Sequence, residues 1–179
     1  MLGDELNVMF KDAADPTAVE AYAKRQGAFD LSAEELAKSD QVEATLEAMY
    51  LMAASDGEVA PEELHQLSAS LRAMLEPFEA EGSALYGLPL LRLDRQLSVF
   101  AEALEAQGHE ARLASVAQRL TTEDSRCLAF CMAAGVALVD DFVASGEADA
   151  IERFAAAFQL SADESQHLLR EVHERMSGA

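Results

Sequence analysis

Asp56 and Glu63 stand seven residues apart on an acidic turn, Ala53-Ala54-Ser55-Asp56-Gly57-Glu58-Val59-Ala60-Pro61-Glu62-Glu63. Asp140 and Glu147 repeat that spacing in Ala137-Leu138-Val139-Asp140-Asp141-Phe142-Val143-Ala144-Ser145-Gly146-Glu147. Set in register, the two stretches share Ala, Asp, Val, Ala and Glu. Four carboxylates brought to one place repel one another unless a cation neutralises them or their pKa values rise. Hard divalent cations accept all-oxygen shells, and calcium tolerates irregular ones. The candidate metal ligands are therefore Asp56, Glu63, Asp140 and Glu147, with Glu58, Glu62, Asp141 and main-chain carbonyls to complete the shell. The implied cofactor is a divalent cation, calcium foremost. This is not an EF-hand: Asp56 lacks the alternating oxygen ligands and the glutamate at position twelve. The competing explanation is that acids near helix N-termini are favoured by capping and the helix dipole, at about 0.3–1 kcal/mol each. That accounts for Glu62, Glu63 and Glu147 singly, and less well for the repeated spacing from Asp to Glu.

Two Glu-x-x-His sequences, Glu62 to His65 and Glu164 to His167, have the form that builds di-iron sites in four-helix bundles. Each falls in the first turn of its helix, away from a bundle interior, and Glu164 doubles as a capping-box residue. No Ser or Cys has an evident base partner, and there is no glycine-rich phosphate loop. Cys127 and Cys131 lie on one helical face. A disulfide there would be strained and no zinc spacing surrounds them, so they read as reduced core thiols. His109 and His173 are expected at the surface.

The elements around the first turn are two apolar stripes. Leu46, Met49, Tyr50 and Ala53 precede it; Leu64, Leu67, Leu71 and Met74 follow. Gly57 ends the first helix and Pro61 opens the second. Around the second turn Ile151 and Phe158 correspond to Leu67 and Met74, which predicts a two-fold internal repeat with halves at roughly 40–76 and 124–160. Residues 1–14 read as loose or as a short docking helix. Asp15-Pro16 opens a helix to about Gln26, and Ser32 to Glu35 caps a short one before the long helix from about Asp40 to Ser55. Gly108 ends a helix striped by Leu90, Leu93, Leu97, Phe100 and Leu104, and a shorter one covers 111–120. The helix capped by Thr121-Thr122-Glu123-Asp124 is apolar nearly all round and should be central. Ser145 and Ser161 cap the last two.

Alanine, leucine, glutamate and methionine dominate, Trp is absent, and four prolines occur in 179 residues. The expected fold is all-α: one compact bundle of about eight to nine helices with an internal pseudo-two-fold, in a single domain over 1–179. With 33 acidic against 13 basic residues, a formal charge of −20 opposes nucleic-acid backbones and anionic membrane surfaces. It suits cations or a basic protein partner. The N-terminus lacks the basic and apolar regions of a signal peptide, and the apolar run from Cys127 to Val139 is too short to span a bilayer. A cytoplasmic protein with no direct membrane insertion is expected.

A helix ending in Asp-Gly, then a small-residue turn, Pro61, Glu62-Glu63 and an apolar helix, resembles the TerB tellurite-resistance family. The likeness extends through Ala134-Gly135-Val136-Ala137-Leu138-Val139-Asp140, Glu147 and Ala157-Phe158-Gln159-Leu160-Ser161, covering roughly 40–175. The resemblance implies an all-α fold with internal pseudo-symmetry and an acidic cation site. It also implies a role in bacterial stress beside a membrane-protein partner. By position it carries Asp56 with Glu63, and Asp140 with Glu147. The chain departs from the family at Asp141 and Phe142, where Gly and a small or polar residue are usual. The resulting expectation is a non-enzymatic protein that binds a divalent cation and docks a protein partner. The alternatives are a metal-dependent enzyme (di-iron carboxylate oxidase or hydrolase) and a metal-free interaction scaffold.

Overall fold

The helices begin where side chains can take up the unpaired N–H groups of a first turn. Asp15 accepts from the Thr17 N–H at 2.9 Å and Pro16 follows it, opening α1, Pro16–Gln26. The computed structural model describes residues 15–57, 59–65, 67–69, 72, 93–138 and 145–178. Among them the chain forms eight helices and no strand. Ser32 and Glu35 close a reciprocal capping box on α2, Ala33–Ala53. Residues 61–65 and 67–69 are helical and are called α3. Then come α4 (Leu93–Gln107), α5 (His109–Arg119), α6 (Glu123–Leu138), α7 (Ser145–Ala157) and α8 (Ala162–Met176). Thr122 and Ser125 exchange backbone-to-hydroxyl bonds at the start of α6. Ser161 and Glu164 repeat the full box at α8.

Hydrogen bonds from the backbone and hydroxyl of Ser32, with the Lys24 ammonium, hold the Glu35 carboxyl below its usual range. The Ser161 hydroxyl and N–H do the same for Glu164. A carboxylate with a lowered folded-state pKa contributes stability above its ordinary pKa. It loses that contribution as pH falls through the lowered value.

Two helices end in the same way. After α1, Ala28 N–H bonds Arg25 O at 3.2 Å and Phe29 N–H bonds Lys24 O at 3.0 Å, with Ala28 at φ +59°. After α7, Gln159 N–H bonds Ala156 O at 3.1 Å and Leu160 N–H bonds Ala155 O at 2.9 Å, with Gln159 at φ +60°. Both are Schellman closures carrying a non-glycine in the left-handed position. A Cβ there costs about 1–2 kcal/mol, of which the lost flexibility of the unfolded chain returns only part on substitution by glycine. Gln159→Gly should therefore raise stability by up to about 1 kcal/mol, or about 2–4 °C in Tm. A calorimetric Tm that does not rise would show that Gln159 bears no strain.

The region read as a short helix followed by a long one is a single helix of 21 residues, α2. Asp40 does not act as a cap; its carboxylate takes the Arg25 guanidinium at 2.6 Å instead. With no Gly or Pro between Ser32 and Ala53, nothing in the backbone interrupts the run. From Ala44 to Ala53 α2 is buried on every face. It packs against α1, α4, α5, α6 and α7, while α6 packs against α2, α7 and α8. The central place expected for α6 is therefore shared with α2. Leu46, Met49, Leu51, Phe130, Phe154 and Phe158 are among the large side chains of this common core. The helices that lead into the two acidic stretches, α2 and α6, lie against each other. No described helix is long and apolar enough to cross a membrane.

Candidate functional site

The first acidic turn starts one helical turn earlier than Gly57. Ala54 N–H closes α2 on Tyr50 O at 2.9 Å, and Ser55 and Gly57 N–H groups bond Met52 O and Ala54 O at 3.1 and 3.0 Å. Gly57 sits at φ +101°, and a Cβ built there would meet nothing within 4 Å. Glycine is required here by the backbone conformation and not by crowding. Val59 and Leu64 lie half-buried against the core, and Leu67 is buried, so the turn is anchored on its far side. Asp56 is exposed at the tip. Glu63 is half-buried, and its Oε2 accepts the Ala60 N–H at 2.8 Å, the N3-to-N-cap half of a capping box. Capping thus gives Glu63 one local role, as the dipole gives one to exposed Glu62.

Of the candidate ligands, Asp56, Glu62 and Glu63 lie on the described turn and its helix start. Glu58, Asp140 and Asp141 lie outside the described residues, as does Phe142. Glu147 falls in the first turn of α7, its side chain outside what is described. Among the described residues, no three His, Cys, Asp or Glu side chains are grouped to hold a metal ion. The Glu-x-x-His pairs do not face a bundle interior. Glu62 and His65 are exposed, Glu164 is engaged by Ser161, and exposed His167 lies 3.7 Å from Glu171.

His109, expected at the surface, is half-buried. Its Nε2 lies 2.8 Å from Leu51 O in the last turn of α2, and its ring packs on Phe154 at 6.1 Å between centroids. The reason is positional: Gly108, at φ +81°, turns the chain so that α5 starts beside the end of α2. From there α5 runs antiparallel to α2, Arg112 reaching Glu47 and Arg119 reaching Glu47 and Glu43.

These pairs form a charged network that the sequence reading did not single out. Glu47 is 1% exposed. Its Oε1 takes Arg112 Nε at 2.7 Å and Nη2 at 2.6 Å, and its Oε2 takes Arg119 Nη2. Glu43 bridges Arg25 at 3.5 Å and Arg119 at 3.7 Å, and Asp40 ends the chain of contacts on Arg25. Three carboxylates at three- and four-residue spacing on α2 thus meet three guanidiniums from two flanking helices. The charges balance within the network, which locks the register of α1 and α5 on α2. The signal was present as acids at 40, 43 and 47 and arginines seven apart at 112 and 119. Reading it requires knowing that α5 lies antiparallel to α2.

Among the described residues, two concavities flank the core. A groove of about 500 Å³ runs between α7 and α8, with Ile151, Ala155, Leu160 and Leu169 on its apolar walls and Glu152 at its edge. A cavity of about 220 Å³ opens between α6 and α8 beside Cys127 and Cys131. The two thiols are free and half-buried; Cys131 packs against the core, and both also line this cavity. Comparison with protein-family models, curated proteins and solved structures finds no match to this chain.

Proposed function

We propose that this chain is a non-enzymatic, TerB-like acidic protein of the cytoplasm. It binds a divalent cation at its acidic turns and docks a protein partner in a tellurite-type stress response. The observation that carries the reading is the first turn itself. A left-handed Gly57 and a Pro61-initiated helix hold Asp56 and Glu63 on one short connection at the end of the central helix. The Glu63 carboxylate, although it caps Ala60, has up to four lone-pair sites, so capping and ion coordination are compatible. The −20 charge concentrates cations at such a turn and selects a basic partner. The docking face on this reading is the α7–α8 groove, whose Glu152 edge and apolar walls suit a basic amphipathic segment of a membrane-protein complex. Ion binding would act by population shift, favouring the conformation of the turns that presents this face.

The test is thermal unfolding with EDTA, calcium, magnesium or manganese, on the wild type and on Asp56→Asn/Asp140→Asn. An ion at a hundredfold excess over Kd adds about 2.7 kcal/mol, which for a chain of this size is about 5–11 °C in Tm. The expected result is a shift of that size with calcium, lost in the double variant. No shift with any of the three ions would leave the carboxylates as helix-start electrostatics and favour the metal-free scaffold. Stoichiometric iron with turnover would favour the enzyme.

A further inference from the structure

The cavity between α6 and α8 is lined by Cys127, Leu128, Cys131, Met132, Glu171, Val172 and Arg175. Three of these seven carry sulfur. From this juxtaposition of two thiols and a thioether we infer a binding site for a soft monovalent d10 cation, Cu(I) or Ag(I), independent of the acidic turns.

The geometry follows from the helix. Cys127 and Cys131 are four apart, which puts their Cβ atoms about 5–6 Å from each other on one face. Metal–thiolate bonds of about 2.3 Å, the length at zinc, span sulfurs somewhat under 5 Å apart, within reach of that spacing. Met132 follows Cys131 directly; it is fully buried and belongs to the same cavity lining. Thiolate and thioether ligands select Cu(I) over hard cations. Two thiolates and one thioether supply a three-sulfur ligand set without oxygen or imidazole.

Access and charge also fit. Both cysteines are half-buried, so an ion can enter from solvent while the site stays largely dry. Binding replaces the two S–H protons by two metal–sulfur bonds and releases two protons to water, with no change of oxidation state. Two thiolates and one monovalent cation leave a single negative charge, and the Arg175 guanidinium faces it from α8. Glu171 on α8, Glu164 at its start, and Glu123 and Asp124 on α6 oppose thiolate formation, while Arg126 favours it. Because each ion bound releases two protons, apparent affinity should fall as pH falls.

The test titrates the reduced full chain anaerobically with Cu(I) supplied as its bicinchoninate complex, and separately with Ag(I), between pH 6.5 and 8. The expected result is one ion per chain, competing with the chelator, with affinity climbing at two protons per ion. Cys127→Ser/Cys131→Ser should abolish binding, and Met132→Leu should weaken it at least tenfold. The Leu substitution conserves volume, so circular dichroism and Tm should show an intact fold. Asp56→Asn/Asp140→Asn should bind Cu(I) like the wild type, so failure here and failure of the acidic-turn reading are separable. Stoichiometric binding that survives the double Ser change, or an affinity unchanged in Met132→Leu, would overturn the three-sulfur site. So would a wild type that takes no Cu(I) from the chelator.

Discussion

Glu47→Gln should lower stability by about 3 kcal/mol, the lower end of what breaking a buried ion pair costs. The glutamine keeps the shape of the side chain and removes its charge. Arg112 and Arg119, whose side chains are 15% and 23% exposed, would then face a neutral amide in a largely dry space. Arg119 Nε, already buried without a partner, leaves that guanidinium poorly placed to find another acceptor. Partial solvent contact of both arginines is the reason to choose the lower end of the range. In Tm this is about 6–12 °C, measurable by circular dichroism or by the urea midpoint. Glu43→Gln is the matched control. Its contacts of 3.5 and 3.7 Å are longer and its side chain is 20% exposed, so it should cost about 1 kcal/mol or less. The triple change Glu47→Leu/Arg112→Leu/Arg119→Leu should recover most of the loss, because an apolar replacement of a whole buried network is often neutral or better. Equal effects of Glu47→Gln and Glu43→Gln would show that Glu47 is not the hub of the network.

Phe154→Ala should cost about 3–5 kcal/mol, the range for deleting a buried aromatic ring. Phe154 is 0% exposed, meets Phe158 edge-on at 5.8 Å and lies under His109 at 6.1 Å. Its removal opens a cavity at the junction of α5 and α7 and takes support from the ring that bonds Leu51 O. The expected fall in Tm is about 6–20 °C by calorimetry. Val99→Ala, at a residue 47% exposed on α4, should stay within about 0.5 kcal/mol. A loss below 1 kcal/mol for Phe154→Ala would mean that neighbouring side chains collapse into the space.

Both effects depend on contacts between residues remote in the chain, and this separates what could be read from what could not. Helix starts were legible because a cap is a local event. Asp15 and Thr17, Ser32 and Glu35, and Ser161 and Glu164 each lie within one turn. Left-handed Ala28 and Gln159 were missed because alanine and glutamine announce no such conformation; the helix closure imposes it. The long helix was expected from about Asp40, but in the fold Asp40 lies inside α2 and faces Arg25. His109 was expected at the surface. Leu51 and Phe154 reach it from other helices. At the candidate site, Asp56, Gly57 and Glu63 were legible as a turn, and Gly57 takes the left-handed conformation its residue type foretells. The bond from Ala60 N–H to Glu63 was legible only as a general preference of acids for helix starts, by capping or dipole.

By itself, then, the sequence determined the all-helical class, the caps, the apolar faces and the glycine-bearing acidic turn. Each follows from interactions within about one helical turn, where chain connectivity already holds the partners together. Tertiary structure alone decided that α5 lies antiparallel beside α2 and that Glu47 gathers two arginines. It also decided that two cysteines and a methionine share one cavity wall with α8. Those are pairings between segments tens of residues apart. Burial selects them from many local patterns that carry the same residues and the same spacing.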